Sequence, residues 1–508
     1  MISNHRITLK NSICLVLILI VLGWLAYLIF GFSSTSAKYG IFGDEGIFLT
    51  GAQRILRGEL PHKDFYTLLP TASYYPLALF FRLFGDNYVV AQVFVFLNAV
   101  GIGGTMFWLG WRLLRWWSSV PAIIFLLFVF PAWPYVSHHW TFLLFALLST
   151  CCCLQKNTGW HVTAGVFSGL SFLLFPQKAL FTFFAHILIF LLFRPHGLRS
   201  AVFTICWYLA GLLPVMLIHS WWLFHTGVWT LYIQQVFIDS FKYYPNFVMQ
   251  EIFFKFNNVA ALLTLGIVGF GLMFFFRRHY TPLVLKTYVA IFLVHMSLLV
   301  SILYHLELYH VLQVIPAAII LIFFIIVFFA QRIRGILHTY SSMALAAFII
   351  SAVIISVSVP FTLAYESSYG FGTGFTKNVT AFSTPRGKIV LNHRQTPYFI
   401  EEYETVSSLV DTQLLGKSIF FFPYAPGYYY FLNLRNTTSF DFIGAEMIAH
   451  AYREQIAQEL AHVDVIILLP TSWGFDPQGA FMKLIPENFS FRQELLEGRV
   501  TVLSRNSL

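Results

Sequence analysis

"YGIFGDEGIFLTGAQRILRGELPHKDF", residues 39–65, places two carboxylates, Asp44 and Glu45, where the chain leaves its first long apolar run. Ile47, Phe48, Ala52, Ile55 and Leu56 then recur at the spacing of one helical face, and Gly58 and Pro61 end the pattern. This reads as a short amphipathic helix lying on a membrane surface, apolar face down, with Arg54 and Arg57 among lipid headgroups. One acid at a helix N-terminus satisfies the macrodipole. A second, held against an apolar surface, points to carboxylate chemistry.

The rest of the chain supplies the membrane. Of 508 residues 58% are hydrophobic and 10% charged, with a mean hydropathy of +0.72. Soluble domains carry about 25% charged residues, so the class is a polytopic α-helical membrane protein. The 57 Phe, 13 Trp and 25 Tyr suit packed helices and bilayer interfaces. A net charge of +9 would fit a nucleic-acid partner, but Lys and Arg sit in short connections between apolar runs, where they set orientation. Cys14, Cys206 and the run Cys151, Cys152, Cys153 lie in or beside apolar runs without metal-ligand spacing, as small core residues do.

Apolar runs near 11–31, 88–111, 118–135, 140–154, 161–176, 178–193, 201–224, 258–276, 283–303, 310–330 and 341–363 predict about 11 transmembrane helices, the first retained rather than cleaved. With the N-terminus cytoplasmic, the inner ends carry twelve Lys/Arg, against Lys178, Lys242 and Lys255 in the short outer connections. Residues 32–87, 225–257 and 364–508 are too polar to span, and all three fall on the outer side. The expected organisation is a transmembrane domain, 1–363, with a first outer loop 32–87 and a second at 225–257. An extracytoplasmic α/β domain, 364–508, follows. The expected location is the plasma (inner) membrane.

In the tail, "KIVLN", "SIFFFP", "VDVIILLP" and "RVTVLS" read as strands, and "PYFIEEYETVSSLVDTQLL" and "AEMIAHAYREQIAQELAHV" as helices. No glycine-rich phosphate loop follows a strand, which excludes common nucleotide-binding motifs.

"DEGIFLTGAQRILRGELPHKDF…P…YYPLALFFRLFG" resembles the first outer loop of GT-C glycosyltransferases, the protein O-mannosyltransferase-like and aminoarabinose-transferase-like enzymes that use polyprenyl-phosphate sugars. The likeness in motifs covers roughly residues 10–115, and more loosely the multispan body and outward tail. It implies an inverting transfer from a polyprenyl-phosphate carrier to a glycan, lipid or protein acceptor in the cell envelope. Asp44 would be the base that deprotonates the acceptor hydroxyl, or would position it through a divalent metal ion, and Glu45 would orient the acceptor or Asp44 itself. Asp64, Tyr74 and Tyr75 fall on the acceptor side of the loop. Aminoarabinose-transferase-like members carry Lys-Pro-Pro before the return helix, whereas Leu69 stands at that lysine position here.

The cation for the departing phosphate must then come from elsewhere, and Lys178 in "FPQKAL" is the candidate. Glu307 and His310 in "YHLELYHVLQVIP" share a helical face and fit a donor-contacting role. Asp239 and Lys242 in "FIDSFKYYPNF" lie in the loop expected to cover the donor. His138 and His139 adjoin without a third ligand in sequence, so no metal site is assigned. Two other classes fit the composition: a transporter or flippase of lipid-linked saccharide, and a non-catalytic assembly scaffold. A transporter would place ionisable residues at mid-membrane in repeated halves, and a scaffold would not need the acid pair.

Overall fold

The computed structural model of the chain describes residues 22–23, 40–130, 133–193, 197–243, 267, 271, 280–303, 308–334, 379–392, 399–443, 452–469 and 482–505. Two loop helices, α1 (Glu45–Leu56) and α2 (Tyr75–Phe84), precede the bundle. The bundle helices are α3 (Tyr88–Leu114), α4 (Ser119–Ile124), α5 (His138–Cys153), α6 (Thr158–Leu174), α7 (Pro176–Leu192), α8 (Leu198–His225), α9 (Pro282–Ser301) and α10 (Leu308–Arg334). Asn87, Ser137 and Asn157 cap α3, α5 and α6 by accepting from Val90, His139 and Gly159 amides at 3.1, 3.1 and 2.9 Å. Pro176 opens α7, where its missing N–H costs nothing.

Among the described residues, α3, α8, α9 and residues 310–328 of α10 are long and apolar enough to cross a membrane, and α5 and α7 are shorter apolar helices. The run at 118–135 is helical from Ser119 through Val129, α4 passing without a break into a π-helical turn, Phe125–Val129. Pro131 and Pro134 offer no N–H to extend it. The runs at 11–31, 258–276 and 341–363 lie wholly or mainly outside the described residues, so the described helices fall short of eleven spans.

Close packing rests on small residues. A Cβ at Gly165 would collide with the Tyr208 carbonyl, and one at Gly211 with the Val162 carbonyl, so α6 and α8 touch backbone to backbone. Buried His186 on α7 ties the same region together, at 3.0 Å from Thr150 Oγ1 and 3.1 Å from Tyr208 Oη. Tyr208 Oη in turn donates to Ser168 Oγ at 2.6 Å. At one end of the bundle Arg112 donates to the Leu154 carbonyl and Gln155 Oε1, both at 3.2 Å.

The C-terminal region adds β1 (Val379–Thr384), β2 (Gly387–Asn392), α11 (Phe399–Thr412), β3 (Ile419–Phe422), α12 (Gly427–Phe431), α13 (Arg453–Leu460), β4 (Val465–Leu468), β5 (Phe491–Leu495) and β6 (Val500–Ser504). β1 and β2 form a hairpin in register Val379↔Asn392 to Thr384↔Gly387. The other strands form one sheet in the order β3-β4-β6-β5, with β3 and β4 parallel and the remaining pairs antiparallel. β3 and β4, "IFFF" and "VIIL", are buried throughout, as covered strands must be.

The tail packs on α1. Thr50, Arg54 and Arg57 share one helical face, and each bonds to the tail. Thr50 Oγ1 donates to the Pro426 carbonyl at 2.8 Å, and Arg57 to the Leu434 carbonyl at 3.3 Å. Arg54, 4% exposed, donates to Asp441 at 2.7 Å, to Glu59 at 2.6 Å and to the Thr438 carbonyl at 3.1 Å. This corrects the expectation that Arg54 lies among headgroups, whereas Arg57 stays exposed beside the tail. A 3.6-residue pattern gives a helix an apolar face but does not say that its polar face meets solvent; here the tail covers it. Breaking a buried ion pair strands the partner charge. Arg54→Met is therefore expected to cost about 3–5 kcal/mol and to loosen the tail, read as a lower unfolding temperature and faster tail proteolysis.

Candidate active site

Asp44 ends a π-helical turn, Gly40–Asp44, and takes the cap position of α1 with helical backbone angles and no capping bond. Its carboxylate is turned to the tail instead: Tyr424 Oη donates to Asp44 Oδ1 at 2.6 Å. Glu45, 2% exposed, faces the bundle. Tyr88 Oη donates to its Oε2 and the Val136 amide to its Oε1, both at 3.1 Å. Burial pushes the Asp44 carboxyl up to about 6, against the lowering effect of the Tyr424 hydroxyl. It pushes Glu45 up to about 7, against the amide and the Tyr88 hydroxyl. Both acids thus change protonation near neutral pH, as a general acid or base requires.

The amide that holds Glu45 belongs to the segment entering α5, and two residues on comes a basic cluster. His138 is 4% exposed and stacks on Phe175, with centroids 5.1 Å apart and planes 4° from parallel. Phe48 of α1 lies 5.5 Å from the His138 ring. Lys178, one turn into α7 and 1% exposed, has its Nζ 4.6 Å from the Phe175 centroid. That Nζ is 2.7 Å from His310 Nδ1 and donates to Gln313 Oε1 at 2.8 Å. His139 meets His310 edge-on at 4.9 Å. The Val136 amide bond to Glu45, the two chain steps from Val136 to His138, and the contacts of Phe175 with His138 and of Lys178 with Phe175 and His310 thus link α1, α5, α7 and α10.

The other expected residues are placed separately. Asp239 is buried, accepting from Gln234 and from Tyr452 of the tail at 2.6 Å each. Exposed Lys242 lies one turn further on. Their loop is tied to the first one, as His62 Nδ1 donates to Gln235 Oε1 at 2.9 Å. Asp64 is exposed and accepts from the Leu60 amide at 2.7 Å, closing a turn. Tyr74, 1% exposed, hydrogen-bonds Thr67 at 2.6 Å and fills the space left by Gly51. Tyr75 packs edge-on against Trp222 at 5.8 Å. Glu307 lies outside the described residues.

Sequence reasoning did not assign His138, Gln313 or Tyr424 to the site. "SHHW" at the head of an apolar run signals a capped helix with basic residues in its first turn, and Gln313 follows His310 by three on one face. Nothing in the sequence ties Tyr424 to Asp44. Among the described residues no group of three or more His, Cys, Asp or Glu side chains is placed to hold a metal ion.

The fold is similar to that of solved structures of ArnT. Two solved structures carry the comparison. ArnT from Cupriavidus metallidurans bound to undecaprenyl phosphate superposes with a TM-score of 0.54 at 11% identity, covering 96% of this chain and 98% of that one. ArnT from the same organism in the apo state gives 0.51 at 13% identity, covering 100% and 99%. No family model and no curated protein matches the sequence.

Proposed function

We propose that the chain is an inverting membrane glycosyltransferase that moves a sugar from a polyprenyl-phosphate carrier to an envelope glycan, lipid or protein on the extracytoplasmic face. The observation that carries this reading is a buried Lys178–His310 pair reached from Glu45 by way of the Val136 amide, His138 and Phe175, with Asp44 next to Glu45 at the head of α1. It occurs in a fold whose solved example holds undecaprenyl phosphate. The outward orientation is supported by the excess of Lys and Arg on the opposite connections.

In this reading the acceptor hydroxyl loses its proton to Asp44 as its oxygen attacks the anomeric carbon. The bond from that carbon to the phosphate oxygen breaks, and the electron pair leaves with the polyprenyl phosphate. Lys178 and His310 stabilise the charge that develops on the phosphate. Glu45, fixed by Tyr88 and the Val136 amide, orients the head of α1 and with it Asp44. Asp239 and Lys242 border the donor, and Asp64 and Tyr75 the acceptor; Tyr74 braces the loop between them. Three of the four carboxylate oxygens of Asp44 and Glu45 bond to Tyr424, Tyr88 and the Val136 amide, a poor fit to a resident metal, so no step is routed through one.

The test is transfer by the full chain in nanodiscs from radiolabelled polyprenyl-phosphate glucose, mannose, galactose and aminoarabinose to extracted envelope lipids and glycans. Absence of both transfer and binding for all of these donors would overturn the proposal. Where transfer occurs, its rate at low substrate should climb with pH through about 6 and then level. A raised pKa keeps Asp44 protonated, and so unable to accept a proton, to higher pH than an ordinary aspartic acid. A rise centred at the ordinary value of 3.8 would contradict the assignment.

A further inference from the structure

Asp44 is held by a residue 380 positions away. Tyr424 follows β3 and is 5% exposed, with its ring edge-on to Phe442 at 5.0 Å. The flanks of its segment are fixed: the Pro423 carbonyl accepts from the Ile443 amide at 2.8 Å, and the Pro426 carbonyl from Thr50 at 2.8 Å. The ring reaches Asp44 only because residue 43 is glycine. A Cβ there would stand 2.7 Å from Tyr424 Cε1.

We propose that Tyr424 is a positioning residue of the transfer site, through which the C-terminal domain anchors one oxygen of Asp44 and leaves the other to receive the acceptor's proton. The proposal rests on the reading of Asp44 as the base. A carboxylate has two oxygens and about four acceptor sites. Anchoring one stops the group rotating and aims the free one. A phenol suits this role because it donates its proton yet keeps it, its own pKa lying near 10. The docked tail then becomes part of the site, and transfer requires it.

Other groups around Asp44 are Glu45 on the same helix, with Tyr88 and Tyr135 behind it from the bundle. From the tail, Tyr428 of α12 and Tyr403 of α11 meet Phe42, two residues before Asp44, at 4.7 and 5.9 Å, Glu402 faces Tyr428, and Tyr430 of α12 faces Glu45. The Arg54–Asp441 pair lies further along α1. Of these groups, the Tyr424 hydroxyl is the one whose hydrogen bond lowers the Asp44 pKa.

The test uses Tyr424→Phe and Gly43→Ala in the full chain in nanodiscs. Infrared difference spectra across a pH titration report each protonated carboxyl, and the band that Asp44→Asn removes belongs to Asp44. In Tyr424→Phe that band should titrate at higher pH, by on the order of one unit. Its kcat should fall about tenfold, with the donor KM and unfolding temperature close to wild type. Gly43→Ala pushes the ring away with its hydroxyl intact and should reproduce the titration shift. Wild-type titration and pH profile in both variants would overturn the proposal. Wild-type transfer by Asp44→Asn would remove the base assignment and this proposal with it. An inactive Asp44→Asn beside a wild-type-like Tyr424→Phe would overturn the positioning role alone.

Discussion

Asp44→Asn is expected to lower kcat for transfer by roughly 10²–10⁴-fold, the range a positioned general base contributes, with donor binding unchanged. Asparagine keeps the shape of the side chain and can still accept from Tyr424, so the docking of the tail on α1 should survive. What it loses is the ability to take a proton near neutral pH. The acceptor hydroxyl must then attack with its proton in place, which burdens the transition state and not the ground state, so the loss should appear in kcat rather than KM. Polyprenyl phosphate binding, followed by native mass spectrometry, supplies the control. A variant that binds and transfers like wild type would show that Asp44 is not the base.

Lys178→Met should have the next largest effect, a fall in kcat/KM of roughly 10²–10³-fold through loss of the cation that meets the developing charge. Methionine matches the aliphatic stem and suits a side chain that is 1% exposed beside Phe175. Gln313 Oε1 and His310 Nδ1 lose their shared donor, so a small loss of stability should accompany the kinetic one. Lys178→Arg should not restore activity, because a rigid planar fork cannot occupy the space of a compact ammonium between two fixed acceptors. Donor titration under single-turnover conditions separates weaker binding from slower chemistry, and unchanged values for both would exclude Lys178 from the site.

Much of this was written in local patterns. Apolar runs of span length marked α3, α8, α9 and α10, and "SIFFFP" and "VDVIILLP" marked the buried strands β3 and β4 because both faces of those strands are covered. β5, "FRQEL", escaped notice because its charged residues suit an exposed strand at the sheet edge. β1, "VTAFST", lies in a two-stranded hairpin whose polar content resembles a loop.

The candidate site was legible only in pieces. Asp44, Glu45, Lys178 and His310 each stood out as polar groups in an apolar chain, but nothing local said that Lys178 and His310 would lie 2.7 Å apart. Arg54 shows the same limit from the other side. Its spacing along α1 placed it on the polar face, and only the tertiary contact with Asp441 turns that face into a buried interface. Tyr424 is the extreme case, a tyrosine in a tyrosine-rich segment made distinctive by its distant partner.

The most direct test is an experimental structure of the full chain in nanodiscs with undecaprenyl phosphate. The phosphate is expected within hydrogen-bonding reach of Lys178 Nζ, beside His138 and His310, with its ester oxygen turned toward the Asp44 end of α1. A phosphate seated away from Lys178, or on the side of the bundle where Arg112 meets Gln155, would contradict this expectation.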